Sequence, residues 1–499
     1  MAHIHGKILA HSNLLRQGLA ESLALLGSYP DALKSCSFGK AEATASSIVR
    51  TLLSDADWIS WASLNKILPL LAEAAPEQFL NAVENSLSRN PCPFDMLFSQ
   101  EGDGLTGENY TTGLLWALET LAWDDKNFTR VIVILGDLTQ RDPGGKWVNR
   151  PSCSLTTILL PWLPQTCASI AKRLKCVEIL LTRVPEVAWK LILTLLPGPH
   201  QVSSGSHKPT WRNFIPDNWA NSVSTSAFWV QANGYIDLAF NEAKNDCSKL
   251  VELIRRLDDF PLNAGAEILG YLTSDSIILL PEEQRLRLWT ELMALVTKHR
   301  KFPEAQWAWK EDMLIKIDKA AECLAPKTPF FIHQRLFGEK VLELLDEKGN
   351  FMEQSKALEA RCQGAVNELY TAGGLRIIIE FAQTVELPWR VGFSFGSIAP
   401  SDQELKEILP TMLLESDVVS KDFSQFSGGF VQGRYNTLGW SWVDGIDWTQ
   451  WSNPQIGQLL SYLPFIKETW RRAEELLGTE EHHYWTKTYV NPYEPMEGL

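Results

Sequence analysis

The sequence predicts an all-α protein, an irregular α-solenoid of stacked helical hairpins with little or no sheet. Three observations carry this expectation. Apolar residues recur at three- and four-residue spacing along much of the 499-residue chain. Residues that start and stop helices stand at the ends of those stretches. The connections between them are mostly short, which favours antiparallel neighbours.

The first element, "SNLLRQGLAESLALLG", has Ser12 as N-cap, Leu15, Leu19 and Leu23 on one face, and Gly27 as its stop. "PEQFLNAVENSLSRN" begins with Pro76 in a first-turn position and repeats Phe79, Val83 and Leu87. "NYTTGLLWALETLAW" ends at Trp123, and Asp124 caps the segment after it. "SCSLTTILLPW", "TCASIAKRLKCVEILLTRV" and "PEVAWKLILTLLP" continue the series. A polar, proline-bearing interruption follows Pro197, "GPHQVSSGSHKPTWRNFIPDNW". It divides the chain into helical-repeat parts at 1–197 and 221–499 with a loop or linker at 198–220, or it interrupts one continuous array. Helices resume with "PEEQRLRLWTELMALVTKHR", "PEAQWAWKEDMLIKIDKAAECL" and "EQSKALEARCQGAVNELYTAGG". Two β-branched runs, "RVIVIL" (130–135) and "RIIIEF" (376–381), continue into helix-compatible flanks and read as buried helix. There is no strict 34-residue repeat.

Composition narrows the function. The formal net charge of −14 disfavours direct nucleic-acid binding, which leaves a basic footprint. Twenty tryptophans are compatible with a large binding surface, because tryptophan anchors interfaces as well as cores. Eight scattered cysteines, with no C-x-x-C pair, read as reduced core thiols of a cytoplasmic protein. The N-terminus is no signal peptide, and no apolar run is long enough to span a bilayer.

Three motifs suggest catalysis, and their contexts oppose it. Gly102, Gly104 and Gly107 have G-x-G-x-x-G spacing, but Glu101, Asp103 and Glu108 would repel a pyrophosphate and no good strand precedes them. "GFSFG" puts Ser394 in G-x-S-x-G, with Asp444 and His482 following in hydrolase order. The nucleophile elbow needs a strand before it and a helix directly after it, so the glycines read as close helix packing. "GGKW" fails the phosphate-binding loop, since Lys146 precedes Trp147 instead of Ser or Thr and no glycine stands five residues before Gly145. His3 and His5, and His482 and His483, have no partner at metal spacing and read as surface residues. We therefore expect no cofactor, no metal and no catalytic residue. Trp440, Trp442, Trp448 and Trp451 form a packed corner between helices or an aromatic contact surface.

"RDPGGKWVNRPSCSLTTILLPWLPQT" (141–166) mixes Gly, Pro, Trp and Arg. Arg141, Asp142, Lys146, Trp147, Asn149, Arg150 and Trp162, with Trp211 and Arg212 from "HKPTWRNF", are the candidate partner-binding or structural residues. Arginine and tryptophan carry binding hot spots. The same residues also make a rigid turn whose arginines satisfy helix carbonyls and carboxylates, and composition favours this structural role.

These strings resemble a known family. "LAEAAPEQFLNAVE", "TGLLWALETLAW", the 141–166 stretch, "VAWKLILTLLP", "HKPTWRNF", the early "LLRQGLAESLALLG" and the closing "YWTKTYVNPYEP" are similar to the C-terminal tetratricopeptide-like sensor of bacterial antiviral STAND NTPases, the Avs group. The resemblance implies a sensor of antiphage defence that binds a conserved phage protein, the large terminase subunit or the portal, and thereby activates an effector. In the family an effector and a P-loop NTPase precede the sensor. This sequence contains neither, so NTP hydrolysis and tetramer formation are not carried over. It has the form of a sensor region alone, as a fragment, a split gene product or a stand-alone protein. An NTPase or effector part on the same or another chain would be its second partner. The alternatives are a helical scaffold with a host partner and a hydrolase using Ser394.

Overall fold

A computed structural model describes residues 11–100, 109–198, 201–219, 222–339, 351–398, 409 and 421–488. Among them there are helices and no strand, so the chain is all-α. It forms two compact units, Met1–Ala264 and Gly265–Leu499.

The first unit holds α1 (Asn13–Ser28), α2 (Lys40–Leu53), α3 (Trp58–Leu64), α4 (Leu68–Ala74), α5 (Pro76–Leu87), α6 (Pro93–Ser99), α7 (Thr112–Ala122), α8 (Asp125–Arg141), α9 (Pro151–Leu159), α10 (Ile170–Arg183), α11 (Pro185–Leu195), α12 (Thr225–Ala243) and α13 (Cys247–Ile254). They pack in two rows. One row runs α1, α4, α7, α9, each touching the next, and the other runs α2, α5, α8, α10. Successive helices α1 and α2, α4 and α5, and α7 and α8 pair across the rows.

Local signals placed these helices as expected. Ser12 caps α1 by accepting from the Leu15 N–H at 3.2 Å, Asp124 caps α8 through Lys126 N–H at 3.1 Å, and Pro76 opens α5. "RVIVIL" lies in α8, and "RIIIEF" lies in a helix of the second unit. The inward face of α1 differs from expectation. Leu15 and Leu19 are exposed, while Ala20, Leu23, Ala24 and Gly27 are buried. Gly27 lies inside the helix, and a Cβ there would stand 1.9 Å from the Ala74 carbonyl oxygen. Small residues let α1 and α4 approach backbone to backbone, and that contact outranks the leucine stripe.

The second unit comprises α14 (Leu262–Leu272), which crosses the boundary, α15 (Asp275–Ile278), α16 (Glu282–Lys301), α17 (Glu311–Leu324), α18 (Pro329–Gln334), α19 (Phe351–Ala382), α20 (Pro388–Ser397), α21 (Lys421–Leu438), α22 (Trp440–Asp444), α23 (Asn453–Ser461), α24 (Lys467–Leu477) and α25 (His482–Trp485). Helix α19 is broken at Gly373–Gly374, where Gly374 takes φ +68°, a value suited to glycine. Ser394 is buried in the middle of α20, between Gly392 and Gly396, which press against the α21 backbone. The four tryptophans of "GWSWVDGIDWTQW" are partly buried against this unit's core, and Arg472 stacks on Trp440 at 3.9 Å. They make the packed corner.

The eight cysteines are free thiols. Cys92, Cys176 and Cys362 are buried, but Cys36 and Cys153 are exposed, so the reading of core thiols holds for only part of the set. Burial pushes the Cys362 thiol up to about 12. No helix among the described residues is long and apolar enough to cross a membrane.

Candidate functional site

The expected turn at 141–150 is closed by its own charges. Arg150 Nη1 meets Asp142 Oδ1 at 2.8 Å, with side chains only 11% and 8% exposed. The same Asp142 oxygen accepts the Gly144 N–H at 3.0 Å, and Gly144 takes φ +78°. Arg150 Nε donates to the Trp147 carbonyl at 3.2 Å, holding the half-buried Trp147 in the same loop. Arg141 reaches outside the turn, to Asp95 at 3.0 Å and to the Leu87 carbonyl at 3.4 Å. Lys146 is exposed, and the Asn149 carbonyl accepts from Asn109 Nδ2 at 3.5 Å.

The loop or linker expected at 198–220 is described chiefly as segment 201–219. It is free of helix, but it lies inside the first unit, whose limit is Ala264. Its bonds explain why. It crosses the C-terminal ends of the row α9, α7, α4, α1, where the last carbonyls have no partner within their helices. Gln201 Oε1 accepts from Trp162 Nε1 at 2.8 Å. The Ser206 N–H donates to Gln165, and the His207 N–H to Glu119 at 2.8 Å. The N–H groups of Thr210, Trp211 and Arg212 all converge on the Glu73 carboxylate at 2.6–3.0 Å. Arg212 then spends its guanidinium on the carbonyls of Gly27, Glu73 and Ala74, the negative ends of α1 and α4. Burial lowers its affinity for its proton. Lys208 sits over Trp123 and Trp219 at 5.4 and 5.1 Å.

Two residues that organise this strap were not singled out from the sequence. Glu73 is 1% exposed and Glu119 is 7% exposed. Each sits in an apolar helix, "LPLLAEA" or "TGLLWALETLA", and a lone acid there is the only available signal. Burial raises the Glu119 pKa, although the His207 N–H and the Ser154 hydroxyl at 2.6 Å oppose the rise.

The turn and the strap meet around a groove of about 880 Å³. Asp142, Val148, Arg150, Glu186, Lys190 and Val202 are among its lining residues. Val148 is 84% and Val202 94% exposed, so the groove carries apolar groups at its surface beside one acid and one base on α11. The nine expected residues thus divide. Asp142 and Arg150 line the groove, Trp162 holds the strap's start, and Trp211 and Arg212 dock its end on α4.

Arg150→Ala should lower stability by about 2 kcal/mol, because Asp142 loses a partner in a largely dry loop. Trp147→Ala should destabilise in the same sense, since the two share one turn. Melting temperature and partner affinity measured on both variants check this; lost affinity at an unchanged melting temperature would make Trp147 and Arg150 contact residues instead.

A second expectation concerns pH. His207 Nδ1 lies 2.9 Å from Thr120 Oγ1, and the ring stacks on Trp116 at 5.3 Å. Burial lowers its pKa below 6.5, with the Glu73 charge opposing. The folded chain therefore favours neutral imidazole. Its contribution is complete above 6.5 and is lost as pH falls below that value. Glu119, raised above 4.5, works in the opposite sense in the acid range. Glu119 is the same in wild type and variant, so His207→Asn should reduce the fall in melting temperature between about pH 7.5 and 5.5. An unaltered slope counts against it.

"GDGLTG" and His3 and His5 lie outside the described residues. Ser394 is in mid-helix with no strand before it, and Asp444, second in the hydrolase order, is bound by Arg472 at 2.8 and 2.9 Å. That contact holds its carboxyl below the usual range. Comparison with protein-family models, with curated proteins and with solved structures finds no match.

Proposed function

We propose that this chain is a recognition module, an α-solenoid that holds a folded protein partner and performs no catalysis itself. The groove beside the 142–150 turn carries the reading, since Val148 and Val202 stand exposed next to charged groups in a concavity of about 880 Å³. The two-row packing of the first unit supports the solenoid. The resemblance of the sequence to Avs sensors names the partner: a phage large terminase subunit or portal, recognised in the cytoplasm to trigger an effector.

Co-expression of the full chain with each phage protein, followed by affinity purification, tests this. One of the two should co-purify, and Val148→Asp should weaken that complex about tenfold or more while the melting temperature stays unchanged. Co-purification of neither removes the antiphage assignment. Co-purification that Val148→Asp leaves intact moves the contact away from the groove.

A further inference from the structure

The sequence pairs His482 with His483 and places two carboxylates, Glu480 and Glu481, just before them. The fold selects Glu480. After α24, Gly478 takes φ +54° and opens a single 3-10 turn, Gly478–Glu480, from which α25 follows. This reversal brings Glu480 Oε2 to 3.8 Å from His482 Nδ1 and 3.7 Å from His483 Nε2. All three donor atoms lie within 4.8 Å of one another.

Those separations are too long for hydrogen bonds. They are close to what an ion requires. Two ligands at ~2.0–2.1 Å from one tetrahedral ion stand about 3.3 Å apart, so Glu480 closes on each histidine by about half an ångström, and the two imidazoles, within 4.8 Å of each other, adjust with it. The side chains are reachable, at 60% exposure for His482, 47% for Glu480 and 25% for His483. The backbone beneath them is held. A Cβ on Gly457 of α23 would lie 2.5 Å from the His483 carbonyl, so His483 is seated directly on that helix. Tyr484 is buried next to it. The neighbouring carboxylate, Glu481, accepts from Trp485 Nε1 at 3.0 Å and is engaged there.

We propose that Glu480, His482 and His483 form a site for a borderline divalent transition-metal ion such as Zn²⁺. Two imidazoles and one carboxylate suit such an ion, whereas Ca²⁺ and Mg²⁺ take all-oxygen sets. Three protein ligands leave a fourth position for water or an incoming donor. The proposal is independent of the recognition reading, which rests on the other unit.

Zn²⁺ titration of the full reduced chain by calorimetry tests it. The free cysteines also take up Zn²⁺, so the comparison with variants decides. Wild type should bind one ion more than the double variant His482→Asn, His483→Gln. Glu480→Gln should weaken that same site at least tenfold. His482→Asn alone, at the most exposed of the three positions, guards against misfolding and should also weaken the site at least tenfold with helical circular dichroism unchanged. Equal stoichiometry and affinity in wild type and variants would overturn the proposal.

Discussion

Gly429→Val is expected to destabilise the second unit by about 3 kcal/mol or more. A Cβ at Gly429 would lie 1.9 Å from the Trp389 carbonyl oxygen. The contact is reciprocal. Cβ atoms at Gly392, Gly396 and Gly433 would lie 1.9, 2.3 and 2.2 Å from the carbonyl oxygens of Phe426, Phe430 and Phe393. Helices α20 and α21 therefore touch along their backbones, and what blocks a side chain is main chain that cannot rotate aside. The helices must separate to admit one, and that pulls Phe395 away from Phe426 and Phe430, with which its ring packs at 6.5 and 5.6 Å. Denaturant unfolding followed by circular dichroism measures the loss. A midpoint unchanged even by Gly429→Ala would show that the helices are not this close. Ser394→Ala is the control within α20. It adds no atom and should leave stability and partner affinity nearly unchanged, and labelling of Ser394 by a fluorophosphonate would reveal a nucleophile instead.

Glu73→Ala is expected to cost about 3 kcal/mol and to release the strap. The carboxylate gathers the N–H groups of three consecutive residues, Thr210, Trp211 and Arg212, in a nearly dry position. Removing it strands those donors, at a cost of about 1–3 kcal/mol for each one fully buried, discounted here because the strap is only half-buried. Glu73→Gln should recover little, because a neutral amide oxygen is a weaker acceptor for the three N–H groups that Oε2 gathers and its NH₂ is set against the Thr210 N–H. Limited proteolysis within 201–219, together with the melting temperature, reads the outcome. Cleavage no faster than in wild type would mean that Arg212 and the Lys208–tryptophan contacts suffice to hold the segment.

The residues themselves determined the helices of this protein. Ser12, Asp124 and Pro76 act on groups within four residues of themselves, and the 130–135 run buries its apolar face wherever a helix finds a neighbour. Local hydrogen bonding and periodicity are complete in the string of residues. The Asp142–Arg150 pair inside the 141–150 turn is within the sequence's reach for the same reason, since the two residues are eight positions apart. Only the tertiary structure decided the rest. Whether 201–219 links two parts or straps one depends on Glu73, 137 residues before Thr210, and on carbonyls left unpaired at the ends of α1 and α4. Which glycines stop a helix and which let two helices touch depends on the facing backbone, as Gly27 against Ala74 and Gly429 against Trp389 demonstrate. A sequence records what each residue can donate, accept or bury; chain folding over more than a hundred residues chooses the partner, because the entropy of closing so long a loop is repaid only by many contacts made together.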